Sequence, residues 1–177
     1  MKHLRILWVT AAVFILDQVT KLYILKTMSL YQTYPVLGDF FRITYVENTG
    51  MAFGIQPAHG GLLTVVAVIV SLFIMYYLFQ MKKEKLPARL ALAAILGGAI
   101  GNLFDRIRRG SVVDFLDSDF FNIHIPQFKL WFLEFDGYSM TRWPVFNVAD
   151  IAITLGMLLL FIVVFTEKED EETPAQS

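Results

Sequence analysis

The sequence predicts a membrane all-α fold, a bundle of four transmembrane helices carrying a small extracytoplasmic β-rich platform. Three observations predict it. The 177 residues are 56% hydrophobic, include 16 phenylalanines and have a mean hydropathy of +0.55, which is too apolar for an ordinary soluble domain of this length. Four segments, about 6–25, 62–81, 88–107 and 146–165, each supply the run of about 20 mostly apolar residues that a spanning helix needs. Between the first two, Phe40-Phe41-Arg42-Ile43-Thr44-Tyr45-Val46 alternates like a strand, bounded by Gly38-Asp39 and Asn48-Thr49-Gly50.

The first segment follows Lys2 and Arg5 as an export signal would, but Asp17 interrupts it and no small-x-small cleavage site follows, so it reads as a retained helix. Asp17 and Lys21 stand at i,i+4 with the acid first, the order in which the side chains meet. The simplest reading is a mutually neutralised ion pair. Lys82, Lys83, Lys85 and Arg89 crowd the link between segments two and three, which the positive-inside rule places in the cytoplasm. Both termini are then cytoplasmic, and regions 26–61 and 108–145 lie outside.

In the third segment Gly97 and Gly101 form a GxxxG step suited to close helix packing. Asn102, Asp105 and Arg106 follow on one face at i, i+3 and i+4. Just beyond it, Asp114 sits in Val-Val-Asp-Phe, where a carboxylate is expensive. In the second outer region Phe120 to Ile125 and Lys129 to Phe135, separated by Pro126, read either as one hairpin or as an irregular loop with interfacial aromatics. Pro144 lies just ahead of the fourth segment, where Asn147 is placed to cap the helix and Asp150 faces the same way at i,i+3. An acid leading into Ile151-Ala152-Ile153 needs a partner beyond the helix dipole. Residues 1–166 form a single domain, and the acidic stretch 167–177 reads as a disordered cytoplasmic tail.

Asp17, Asn102, Asp105 and Asp150 share the outer third of the membrane when placed by a helix rise of about 1.5 Å per residue. Three segments delivering polar groups at one depth point to a common site near the outer leaflet. Composition narrows its chemistry. A net charge of -1 provides no nucleic-acid surface. The absence of cysteine removes thiol nucleophiles and thiolate metal sites, and His3, His59 and His124 lack ligand spacing, so no metal or cofactor is expected. Paired carboxylates remain. Asp114 and Asp150, brought together by their depth, would hold one proton between them, the anion taking a proton from water and the acid polarising a carbonyl.

Five motifs, Asp17-Gln18-Val19-Thr20-Lys21, Asn48-Thr49-Gly50-Met51-Ala52-Phe53, Gly101-Asn102-Leu103-Phe104-Asp105-Arg106, Val113-Asp114-Phe115 and Phe146-Asn147-Val148-Ala149-Asp150, stand in an order that resembles the bacterial lipoprotein signal peptidases, signal peptidase II. The resemblance implies an inner-membrane aspartyl endopeptidase that removes the signal peptide of a diacylglyceryl-modified prolipoprotein by cutting before the lipidated cysteine. It implies Asp114 and Asp150 as the catalytic dyad, and Asp17, Lys21, Asn48, Gly50, Asn102, Asp105, Arg106 and Asn147 as substrate-binding or supporting positions. The expected partners are the prolipoprotein and membrane lipids, with the enzyme itself a monomer. One departure is the stretch from Asp117 to Trp143, longer than the family usually places between its two catalytic aspartates.

From the residues alone two other classes stay open. A small transporter would use Asp17, Asp105 and Asp150 as a proton relay, but it needs little outside the membrane, whereas this chain has two long outer regions. An assembly subunit would use the GxxxG step without needing Asp114 and Asp150.

Overall fold

The computed structural model describes residues 6–50, 60–81, 86–120, 123–130, 133–135 and 138–172. Among these, four helices are long and apolar enough to cross a membrane: α1 (Leu7–Thr27), α2 (Gly60–Gln80), α3 (Leu86–Arg109) and α4 (Val148–Glu172). The chain is therefore a multi-pass membrane protein. Three short strand systems complete the described elements. They are β1 (Thr33–Leu37), β2 (Phe41–Asn48) and β3 (Val112–Ser118), then β4 (Ile123–Ile125) with β7 (Tyr138–Met140), and β5 (Phe128–Leu130) with β6 (Leu133–Phe135).

The central helix is α3, which packs against the other three. In its most apolar window 56% of residues are buried, against 22% in α1 and 11% in both α2 and α4. This explains why α3 carries polar and small residues: protein covers it, so it needs the least lipid-compatible surface. The expected close packing is present. A methyl group added at Gly97 would lie 2.8 Å from the Thr10 carbonyl, and one at Gly101 would lie 2.5 Å from Asp17 Oδ2, so both glycines admit α1 against α3. Thr10 fastens that contact by donating to the Ala93 carbonyl at 2.9 Å. Outward-facing residues such as Trp8, Leu16, Phe73, Tyr76, Leu155 and Phe161 are exposed apolar groups, the surface a bilayer solvates.

The strand expected around Phe40–Val46 is β2, the middle strand of an antiparallel sheet ordered β1-β2-β3. Asn48 pairs with Val112 and Val46 with Asp114, which puts Asn48 and Asp114 diagonally on one face. Residues just before α4 extend the sheet, since Phe146 exchanges hydrogen bonds with Leu116 at 2.7 and 3.0 Å. That pairing fixes where α4 begins, at Val148 rather than at the expected 146.

The long loop is neither the one hairpin nor the irregular loop that the sequence leaves open. Residues 123–125 pair with 138–140, and 128–130 with 133–135, giving two nested hairpins. Pro126 restricts the preceding residue to extended conformations, so it carries the chain onward from the outer hairpin to the inner one instead of reversing it. At the other end of α4 the helix continues to Glu172, beyond the expected limit at 165, because the Glu and Lys residues there are good helix formers. Met51 to Phe53 of the second motif, the lysines at 82, 83 and 85, and residues 173–177 of the tail lie outside the described residues.

Candidate active site

The polar residues converge where α1 and α3 end, α4 begins and β3 crosses between them. Asn147 is the N-cap of α4. Its Oδ1 accepts the Asp150 N–H at 3.0 Å while Asp150 Oδ2 accepts the Asn147 N–H at 3.1 Å, a reciprocal capping arrangement. The cap expected from the sequence is thus present, and the same residue does more. Its Nδ2 donates to Asp114 Oδ1 at 2.7 Å and lies 3.1 Å from Asn102 Oδ1.

Asn147 therefore touches both aspartates, and two further amides orient them. Asn48 Nδ2 donates to Asp114 Oδ2 at 3.0 Å, and Asn102 Nδ2 donates to Asp150 Oδ1 at 2.8 Å. Gly50 supports this indirectly, its N–H donating to Asn48 Oδ1 at 3.0 Å. Asp114 is only 3% exposed. Burial, then the charge of Asp150, raises its carboxyl to about 7, against the opposing hydrogen bonds of Asn48 and Asn147 and the charge of Lys21.

A network beneath this holds the helices in register. Lys21 Nζ lies 2.9 Å from both Asp17 Oδ2 and Asp105 Oδ2, and donates to Asn102 Oδ1 at 2.8 Å. The isolated Asp17–Lys21 pair expected from the sequence is thus a three-membered cluster. Its third member stands 84 positions beyond Lys21 in a neighbouring helix, which local spacing does not reveal. Asp17 Oδ1 also accepts the Ala149 N–H at 3.0 Å, and Asp105 Oδ2 accepts the Val113 N–H at 3.4 Å. The cluster thereby reaches the residues immediately preceding Asp150 and Asp114.

A cavity of about 510 Å³ opens onto this constellation, lined by Asn48, Gly50, Asn102, Arg106, Asp114 and Asp150 together with Glu47, Trp143 and Phe146. The Arg106 guanidinium lies within electrostatic reach of Asp114, Asp150 and Asp105. The structure therefore brings all ten residues singled out in the sequence to this cavity or to the network beneath it. Gln18 was missed, although it stands inside a quoted motif. Its Nε2 donates to Asp17 Oδ2 at 3.0 Å and to the Gly101 carbonyl at 3.2 Å. Glu47 was also missed. It accepts from Tyr45 Oη at 2.7 Å and from Ser111 Oγ at 3.3 Å, and burial with this neighbour raises the Tyr45 hydroxyl to about 12. The only sequence signal for either was adjacency to a site residue.

Known proteins resemble this chain in sequence and in fold. Residues 9–166 match the family described as Signal peptidase (SPase) II. The chain is 42% identical to the lipoprotein signal peptidase of Alteromonas mediterranea over 98% of its own length and 88% of that protein. It is 36% identical to that of Syntrophus aciditrophicus, covering 97% and 99% of the two chains. A bacterial membrane enzyme solved by the in meso method at 2.3 Å superposes with a TM-score of 0.79 at 26% identity, over 98% of this chain and 94% of that one. A second such structure, at 1.9 Å, gives 0.71 at 28% identity over 90% and 92%. The sequence motifs, the four-helix bundle with its β platform and these matches together place the chain in the signal peptidase II family.

Proposed function

We propose that the chain is an intramembrane aspartyl endopeptidase, with Asp114 and Asp150 as its dyad, that cuts diacylglyceryl-modified prolipoproteins before the lipidated cysteine. Family membership makes it a protease that removes signal peptides from prolipoproteins. The observation that carries the finer reading is that Asn147 holds one oxygen of each aspartate at the wall of a single cavity.

Each carboxylate accepts from two amide groups, so its orientation is set before substrate arrives. Two carboxyl groups held by one asparagine are placed to divide the acid and base roles between them. With its carboxyl raised to about 7, Asp114 is the group suited to hold a proton near neutrality. Asp150 then takes a proton from water as its oxygen attacks the scissile carbonyl, while Asp114 gives its proton to the carbonyl oxygen. Collapse of the resulting diol returns a proton to Asp114 and delivers one from Asp150 to the departing amine, leaving the dyad as it began. Arg106 faces the same cavity and is positioned to stabilise negative charge as it develops.

A lipidated substrate keeps its acyl chains in one leaflet and its scissile bond near the interface, the level at which the helices end around this site. The basic link between α2 and α3 supports an orientation with both termini cytoplasmic and the site toward the outer leaflet of a bacterial inner membrane. The enzyme is read as a monomer. Incubating the purified protein with a diacylated prolipoprotein tests the proposal. Mass analysis is expected to show a product beginning at the lipidated cysteine, and an uncut precursor, or a cut elsewhere, would contradict it.

A further inference from the structure

Glu47 is an exposed residue near the end of β2, yet its carboxylate is held at both oxygens. Oε1 accepts from Tyr45 Oη at 2.7 Å and Oε2 from Ser111 Oγ at 3.3 Å. Both donors are themselves fixed. Tyr45 is buried with Ile24, Val113 and Phe115 in the core beneath the sheet. Ser111 is buried in the turn between α3 and β3, directly after Gly110, which ends α3 at a φ of 78° and donates its N–H to the Arg106 carbonyl at 2.9 Å. Glu47 therefore ties the end of β2 to one point in the core and to another three positions before Asp114.

The residue after it is Asn48, the last of β2. In the ladder Glu47 pairs with Val113 and Asn48 with Val112. Successive strand residues face opposite sides of a sheet, so the two side chains diverge. On its own side Asn48 donates to Asp114 Oδ2 at 3.0 Å. A shift of about 1 Å at the strand end would carry that bond beyond hydrogen-bonding distance.

We infer that Glu47 is a positioning residue for the cleavage, anchoring the end of β2 to Tyr45 and Ser111 so that Asn48 stays where it orients Asp114. The inference deepens the proposed function and rests on it. The anchor needs hydrogen-bonding partners at two points, not a negative charge. Glutamine supplies a carbonyl that accepts from Tyr45 and an amide that donates to Ser111 Oγ, so it keeps both links, whereas alanine keeps neither. Glu47 also reaches the wall of the cavity. A charge acting on substrate from there would be lost in glutamine as fully as in alanine.

The test measures kcat and KM on a diacylated prolipoprotein for the purified full chain and for Glu47→Ala, Glu47→Gln, Asn48→Ala and the double alanine variant, each checked for folding in detergent. Glu47→Ala is expected to lower kcat about tenfold with KM within about twofold, because the orientation of Asp114 is used in the chemical step. Glu47→Gln should regain most of that loss. The double variant should be no slower than Asn48→Ala, since Glu47 then has nothing left to position. Normal kcat in Glu47→Ala or in Asn48→Ala, or an equal loss in Glu47→Gln, overturns the inference, as do losses that multiply in the double variant. If Glu47→Ala does not fold, Tyr45→Phe removes one link without emptying the core, and its combination with Asn48→Ala is judged by the same rule. Near-normal turnover by Asp114→Asn in the same series would overturn the dyad reading itself, which separates the two claims.

Discussion

Asp114 couples the chemistry to stability. Its carboxyl rises from 3.8 to about 7 on folding, so between those values the folded chain keeps a proton that the unfolded chain has released. Stability from this group is therefore full below about 4, falls as pH rises toward 7, and is lost above it. The span is on the order of 4 kcal/mol before any relaxation of the site. Thermal melting across this range should show the decline in the unaltered protein and a flatter profile in Asp114→Asn, whereas matching profiles would remove Asp114 as its source. Cleavage should likewise decline as pH rises through about 7, because the acid of the dyad is lost. Asn147→Ala removes a cap worth about 1 kcal/mol and also frees both aspartates. Its cleavage should fall about 100-fold, far more than its melting temperature suggests. At this scale Asp114 and Asp150 were legible because a carboxylate in apolar sequence needs a reason. The reach of Asn147 to β3 was not, because it depends on the pairing of Phe146 with Leu116.

Among elements, the cluster of Asp17, Lys21 and Asp105 joins α1 to α3 and touches the start of α4. Removing Lys21 takes away the ammonium that lies 2.9 Å from both Asp17 and Asp105, at a cost of about 3 to 5 kcal/mol, so Lys21→Met should melt well below the unaltered protein. A simple pair would be repaired by adding Asp17→Leu. Here Asp105 would still lack its cation and the Ala149 N–H its acceptor, so the double variant should recover only in part, and further with Asp105→Asn. Full recovery of melting temperature in the double variant would show that Asp105 does not depend on Lys21. The helices themselves were legible from apolar runs of sufficient length, and the GxxxG step marked a close helix contact, though not that α1 makes it. The nested hairpins were not, since three-residue strands leave too few residues for alternation to define a register.

At the scale of the whole molecule, a polar site sits where helices apolar enough to span a membrane meet a small sheet. If acyl chains place the scissile bond there, their removal discards binding energy that positions the peptide. Specificity constants should be much higher for lipidated than for unlipidated precursor, and equal values would mean that the site reads peptide alone. The central claim is that Asp114 and Asp150 together perform the cleavage, and its most direct measurement is kcat/KM on a diacylated prolipoprotein for Asp114→Asn and Asp150→Asn, each checked for folding in detergent. Each folded variant should lose at least about 100-fold, since each lacks one of two proton-transfer roles; near-normal turnover by either one would contradict the account.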